Sequence, residues 1–164
     1  MAATPRNDNA SGFVQSELFA RTFREGMTLV EEAANYLDGA GREASRNLSR
    51  SAALVYAGSS MRLTTQLMQI ASWLLVMRAV REGDMTVDEA GEEKYRLKPK
   101  EPQFGDLHEE GLPETLIRLV MDAAQLYSRI ARIDRELFAS ARASEPKQDA
   151  AAQQRALLDA FAAR

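Results

Sequence analysis

Leu67-Met68-Gln69-Ile70-Ala71-Ser72-Trp73-Leu74-Leu75-Val76-Met77 is the stretch on which the fold turns. Wound at helical pitch it is apolar on nearly every side, and such a helix must be covered on more than one side. Even extended to Val80 it is interrupted by Gln69, Ser72 and Arg78, so it falls short of the roughly 18 to 20 apolar residues that a membrane span needs. It is therefore expected to be the central helix of a bundle. The same helix is predicted to begin near Leu48-Ser49, with Asn47 or Ser49 as its cap, and to run to Glu82, where Gly83 ends it. At ~1.5 Å per residue it would be on the order of 50 Å long. Its first half carries the small residues Ala52, Ala53, Ala57, Gly58, Ser59 and Ser60, beside which a neighbouring backbone can come close.

On the N-terminal side, Phe19, Phe23, Met27, Val30, Ala34 and Leu37 recur at helical spacing, which predicts a first long helix over Gln15–Leu37. Gly39 and Gly41 are expected to stop it with left-handed backbone. Residues 1–14 are polar and read as a disordered lead. On the C-terminal side, Thr86-Val87-Asp88-Glu89 is a capping box that opens a short helix to about Tyr95. Pro99, Pro102, Gly105 and Gly111 mark an irregular connection, and Pro113 suits the first position of a third long helix. The stripe of that helix is Leu116, Val120, Ala124, Tyr127, Ile130, Leu137 and Phe138, with Asp134 as an exception, and it fades near Ala143. The expected fold is all-α: a three-long-helix up-down-up bundle over 15–143, with a short extra helix between the second and third. Residues 144–164 form a flexible tail, in which Leu157, Leu158 and Phe161 give a small apolar face once helical.

Composition narrows the function. With 45% hydrophobic residues a core can be buried, and a net charge of −3 argues against general nucleic-acid binding, which needs an excess of Lys and Arg. The absence of cysteine removes disulfides, thiolate metal sites and thiol nucleophiles together. No apolar leader opens the sequence, so a cytoplasmic protein, away from membranes, is expected. No phosphate loop, nucleophile elbow or zinc pattern is present. The one histidine, His108, lies in the acidic connection Asp106-Leu107-His108-Glu109-Glu110. It reads as a solvated residue that binds no metal, because bundle metal sites use paired Glu-x-x-His motifs or several inward histidines. No catalytic residue and no cofactor is expected.

Charge is more telling. No Asp or Glu occurs between Ala44 and Arg81, whereas Arg46, Arg50, Arg62, Arg78 and Arg81 do; the stretch that follows is acidic. The two either neutralise one another within the fold or form complementary docking surfaces. Trp73, Met61, Met68 and Met77 are most simply core; the other reading is a subunit interface, since two neighbours hardly cover a helix this apolar. Arginine and aromatic residues around an apolar centre are also what binding hot spots are made of.

The string Ser60-Met61-Arg62-Leu63-Thr64-Thr65-Gln66-Leu67-Met68-Gln69-Ile70-Ala71-Ser72-Trp73-Leu74-Leu75 resembles the signature of the alphaproteobacterial regulator-of-CtrA-degradation (RcdA-like) family. Arg24-Glu25-Gly26-Met27, Tyr36-Leu37-Asp38-Gly39, Glu82-Gly83-Asp84-Met85-Thr86 and Arg129-Ile130-Ala131-Arg132-Ile133-Asp134-Arg135-Glu136-Leu137 fit the same family. The resemblance implies a dimeric three-helix bundle without catalytic residues. It further implies an adaptor for the ClpXP protease, recruited with a response-regulator partner and delivering cell-cycle cargo. The candidate contact residues are Arg62, Gln66, Gln69 and Trp73 on the second helix, with Leu157, Leu158 and Phe161 in the tail. The rival expectation is a homodimerisation module with no link to a protease.

Overall fold

The structure, a computed structural model, describes residues 5–98 and 111–143. Among these there is no strand. The elements are α1 (Pro5–Val14), α2 (Glu17–Asp38), α3 (Ala40–Ser45), α4 (Arg50–Glu82), α5 (Val87–Ala90), a 3-10 turn (Glu93–Tyr95) and α6 (Glu114–Ala143). The helical bundle expected from periodicity is present, and α2, α4 and α6 pack against one another in pairs. His108 and the tail residues Leu157, Leu158 and Phe161 lie outside the described residues.

Local chemistry sets the helix ends. Ser16 caps α2 by accepting from the Phe19 amide at 3.2 Å, and Ser49, one of the two expected caps, accepts from the Ala52 amide at 3.2 Å. Gly83 ends α4 with φ of +82°, a left-handed conformation in which a side chain would be strained. Gly39 does not work that way. Its φ is −114°, and the chain turns there directly into α3, a short helix that periodicity alone did not reveal. The capping box at Thr86 and Glu89 is formed, but the helix it opens closes at Ala90 and continues to Tyr95 only as a 3-10 turn. At 22 residues α2 has one point of close approach: a Cβ on Gly26 would stand 2.4 Å from Cδ1 of the buried Leu74. Glycine there lets α2 settle against α4.

Two expectations are corrected. The lead is not disordered from residue 5 onward, because Pro5–Val14 forms a helix that packs on α4, α6 and α2. Ala10 and Val14 are buried, and the Phe13 ring meets Phe19 edge-on at 5.6 Å and Trp73 at 6.2 Å. Three apolar side chains close together suffice to hold an otherwise polar segment.

The second correction concerns direction. Gly26 of α2 faces Ile70 and Leu74 of α4 whereas Tyr36 and Tyr56 lie together around Gly41, so α2 and α4 are antiparallel. Arg118 pairs with Glu32 and Arg129 with Glu25, so α6 is antiparallel to α2 as well. Hence α6 runs parallel to α4, and the order is up-down-down, not up-down-up. The connection after Gly83 makes this possible by returning along the bundle. Gly91 sits against Phe138, and the Tyr127 hydroxyl donates to the Lys98 carbonyl, so the chain climbs from the end of α6 back toward its start. Parallel neighbours need such a crossover.

Deleting residues 1–14 is expected to lower the unfolding free energy by about 2 kcal/mol or more, since burial of Phe13 and Val14 is lost, offset only in part by the ordering entropy of α1. Urea unfolding followed by circular dichroism measures it; an unchanged midpoint would mean that α1 does not contribute to the core.

Candidate protein-binding surface

The four candidate residues of the central helix follow one line at i, i+4, i+7 and i+11, as helical geometry requires. They do not share one environment. Arg62 is exposed, Gln66 and Gln69 are half-buried, and Trp73 is 1% exposed. Trp73 therefore has no face for a partner. Its indole Nε1 donates to Asp134 Oδ1 at 2.9 Å across the α4–α6 contact.

Asp134, the exception in the α6 stripe, is the centre of a buried polar cluster. It is 4% exposed. Besides the indole it accepts from Arg96 Nε at 2.9 Å on both carboxylate oxygens, and Arg96 Nη2 donates to its backbone carbonyl at 3.2 Å. The Arg96 guanidinium also stands 4.6 Å from the Phe138 ring centroid. A carboxylate inside a bundle is costly unless paired and hydrogen-bonded, and here it is both. Nearby, the Tyr127 hydroxyl has its pKa raised, first by burial and then by the Asp134 charge. The phenol thus stays protonated as the donor to the Lys98 carbonyl, and the returning connection is pinned to α6 at both residues.

The exposed side of α4 is the surface that sequence reasoning passed over. Met61 and Met68, read as core, are 72% and 67% exposed, while Met77 is buried as expected. Leu54 at 71% and Leu75 at 51% complete a row. These four side chains are spaced at seven residues, so they lie on one line along the helix. Between them Ala57, Gly58, Thr64, Thr65 and Ser72 are exposed, and a Cβ added at Gly58 would meet nothing within 4 Å. The Thr64 and Thr65 hydroxyls donate to the carbonyls of Ser60 at 2.9 Å and Met61 at 3.0 Å. Their donors are thereby used within the helix, so the face is less polar than its composition suggests. The sevenfold spacing was visible in the sequence; which side the core would occupy was not.

The helix-two arginines find partners close by in the chain. Arg46 pairs with Glu43 and Arg78 with Glu82, and Arg78 also lies over Phe23. Among the described residues no three His, Cys, Asp or Glu side chains gather where they could hold a metal ion, and no helix is long and apolar enough to cross a membrane.

These features define a helical-bundle protein whose longest helix is buried on one side and carries an uncovered apolar row on the other. The chain belongs to the family described as "Protein of unknown function (DUF1465)", which matches residues 10–161. It is similar to RcdA from Caulobacter crescentus CB15, whose crystal structure it matches with 52% sequence identity and a TM-score of 0.65, over 76% of this chain and 94% of that one. The family is thus the RcdA-like one expected from the helix-two signature. Among curated proteins none matches.

Replacing Asp134 with Ala is expected to cost about 3 kcal/mol or more, because Trp73 and Arg96 lose a shared buried acceptor. Asp134→Asn, which keeps an acceptor for the indole but removes the charge opposite Arg96, is expected to cost less. Urea midpoints of the two variants measure this; equal, negligible losses would show that the cluster is not needed for the fold.

Proposed function

We propose that this chain is a non-enzymatic, homodimeric adaptor that recruits cell-cycle regulatory cargo to the ClpXP protease, together with a response-regulator partner. The observation that carries this reading is the 52% identity to RcdA over 94% of that chain. The uncovered apolar row of α4 supports a protein-binding role. The sequence has none of the phosphate loops, nucleophile elbows or zinc patterns on which an enzymatic reading would stand. A cytoplasmic location suits such a role.

A second reading has its own support. The apolar row on α4 is also what a plain homodimerisation module would carry, without any protease. Affinity capture of the tagged chain from its native cell, with mass spectrometry, separates the two. The adaptor reading expects the ClpX unfoldase and a response regulator; recovery of the chain's own copies alone would favour the module.

On the adaptor reading, Leu157, Leu158 and Phe161 order in a groove supplied by a partner. Truncation after Ser144 is then expected to leave helicity and melting temperature nearly unchanged while slowing cargo degradation in a reconstituted reaction. A fall of several degrees would place the tail in the core, and no change in either quantity would make it inert.

A further inference from the structure

The uncovered row of α4 has a symmetry of its own. Read from its midpoint between Thr64 and Thr65, it presents the same classes of residue in both directions. Thr64 and Thr65 come first, then Met61 and Met68, then small residues at Ala57, Gly58, Ala71 and Ser72, and finally Leu54 and Leu75. A parallel helix pair needs no such order, because in register every residue meets its own copy. An antiparallel pair related by a twofold axis does need it, because each residue then meets its mirror position.

We propose that this face closes on a second copy of itself, α4 pairing antiparallel with the partner's α4 about a twofold axis between Thr64 and Thr65. This deepens the homodimer reading above and rests on it. In that register Met61 lies across from the partner's Met68 and Leu54 across from the partner's Leu75. Gly58 lies across from the partner's Ser72, so small residues meet small ones and the helices can approach closely. Thr65 meets the partner's Thr65 near the axis.

Size and charge agree with this arrangement. The row from Leu54 to Leu75 is about 31 Å long at ~1.5 Å per residue, and a helix about 10 Å wide closing along it removes on the order of 1,000 Å² in total. That is the lower end of what specific interfaces bury, roughly 1,000–1,200 Å². The row carries no acid, and its arginines stand toward its ends and flank. The antiparallel register brings Arg50, at the start of α4, beside the partner's Arg78, whose charge is offset by its own Glu82 at 2.8 Å. It also sets Arg50 against the negative C-terminal end of the partner helix. A parallel pair would instead place Arg50 against the partner's Arg50 at two positive helix N-termini.

The chain has no cysteine, so single cysteines report distances without background. Thr65→Cys is expected to form a disulfide-linked dimer on mild oxidation. Leu54→Cys and Leu75→Cys, each alone, are expected to stay unlinked, because their copies lie about 31 Å apart in this register, well beyond the ~7 Å that a disulfide spans. An equal mixture of the two is expected to crosslink. Light scattering on the unmodified chain at about 100 µM, where a weak dimer of micromolar affinity is populated, should give the mass of two protomers. Met61→Glu should keep full helicity and give the mass of one.

The failures are distinct. A protomer mass for the unmodified chain would overturn the homodimer reading and this proposal with it. A dimer in which Leu54→Cys crosslinks alone would overturn the antiparallel register. A dimer in which none of the α4 cysteines crosslinks, or which survives Met61→Glu, would place the interface elsewhere, overturning this proposal while leaving the homodimer standing.

Discussion

Everything in the bundle is arranged around the carboxylate of Asp134. It sits where three parts of the chain meet: Trp73 from the central helix, its own helix α6, and Arg96 from the connection that returns between them. A buried acid without donors would be expelled or neutralised; with the indole, the guanidinium and the neighbouring packing it becomes directional. Hydrophobic burial alone would let α4 and α6 slide or rotate, because it has no preferred orientation. The hydrogen bond of 2.9 Å from Trp73 fixes their register. The Arg96 contact then decides the path of the connection and so permits α6 to run parallel to α4. Remove the acid and the topology loses its one specific cross-link among apolar contacts.

That constraint leaves α4 with two faces of opposite fate. Ile70, Trp73, Leu74 and Met77 are held inside by α2, α6 and α1. With Trp73 turned toward Asp134, the line through Leu54, Met61, Met68 and Leu75 is carried to the outside. The helix is therefore apolar all round for two unrelated reasons: one side forms the core, and the other is an uncovered surface of the kind that marks interaction sites.

Much of this was legible in the sequence. Helical periodicity located the three long helices, and the capping residues Ser49, Gly83 and Thr86 marked their ends or starts. The helix-two string pointed to the RcdA-like family. What sequence missed has physical causes. The α1 helix is polar in composition and depends on three contacts, at Ala10, Phe13 and Val14, which exist only once Trp73 is in place. The direction of α6 depends on a long connection whose path is set by Arg96 and Asp134, residues 38 positions apart. Helix periodicity carries no information on which way a helix points after a loop of that length. Asp134 was recognised as an exception in its stripe, but its partners could not be named.

The candidate site shows the same limit more sharply. A helix apolar on every side gives no internal cue as to which side is core, so Met61 and Met68 were as plausible inside as Met77. The row Arg62, Gln66, Gln69 and Trp73 was singled out because arginine and tryptophan are common at interfaces, yet Trp73 serves the interior. Methionines, flexible and polarisable, fit irregular partners better than they specify a core, and on this helix the two exposed ones occupy the middle of the uncovered row. Residue type ranks candidates, but the surface is defined by what Asp134 and α6 leave uncovered. The α4 face is therefore a consequence of the buried acid on the opposite side of the helix: the hydrogen bond that turns Trp73 inward is the same constraint that turns Met61 and Met68 outward.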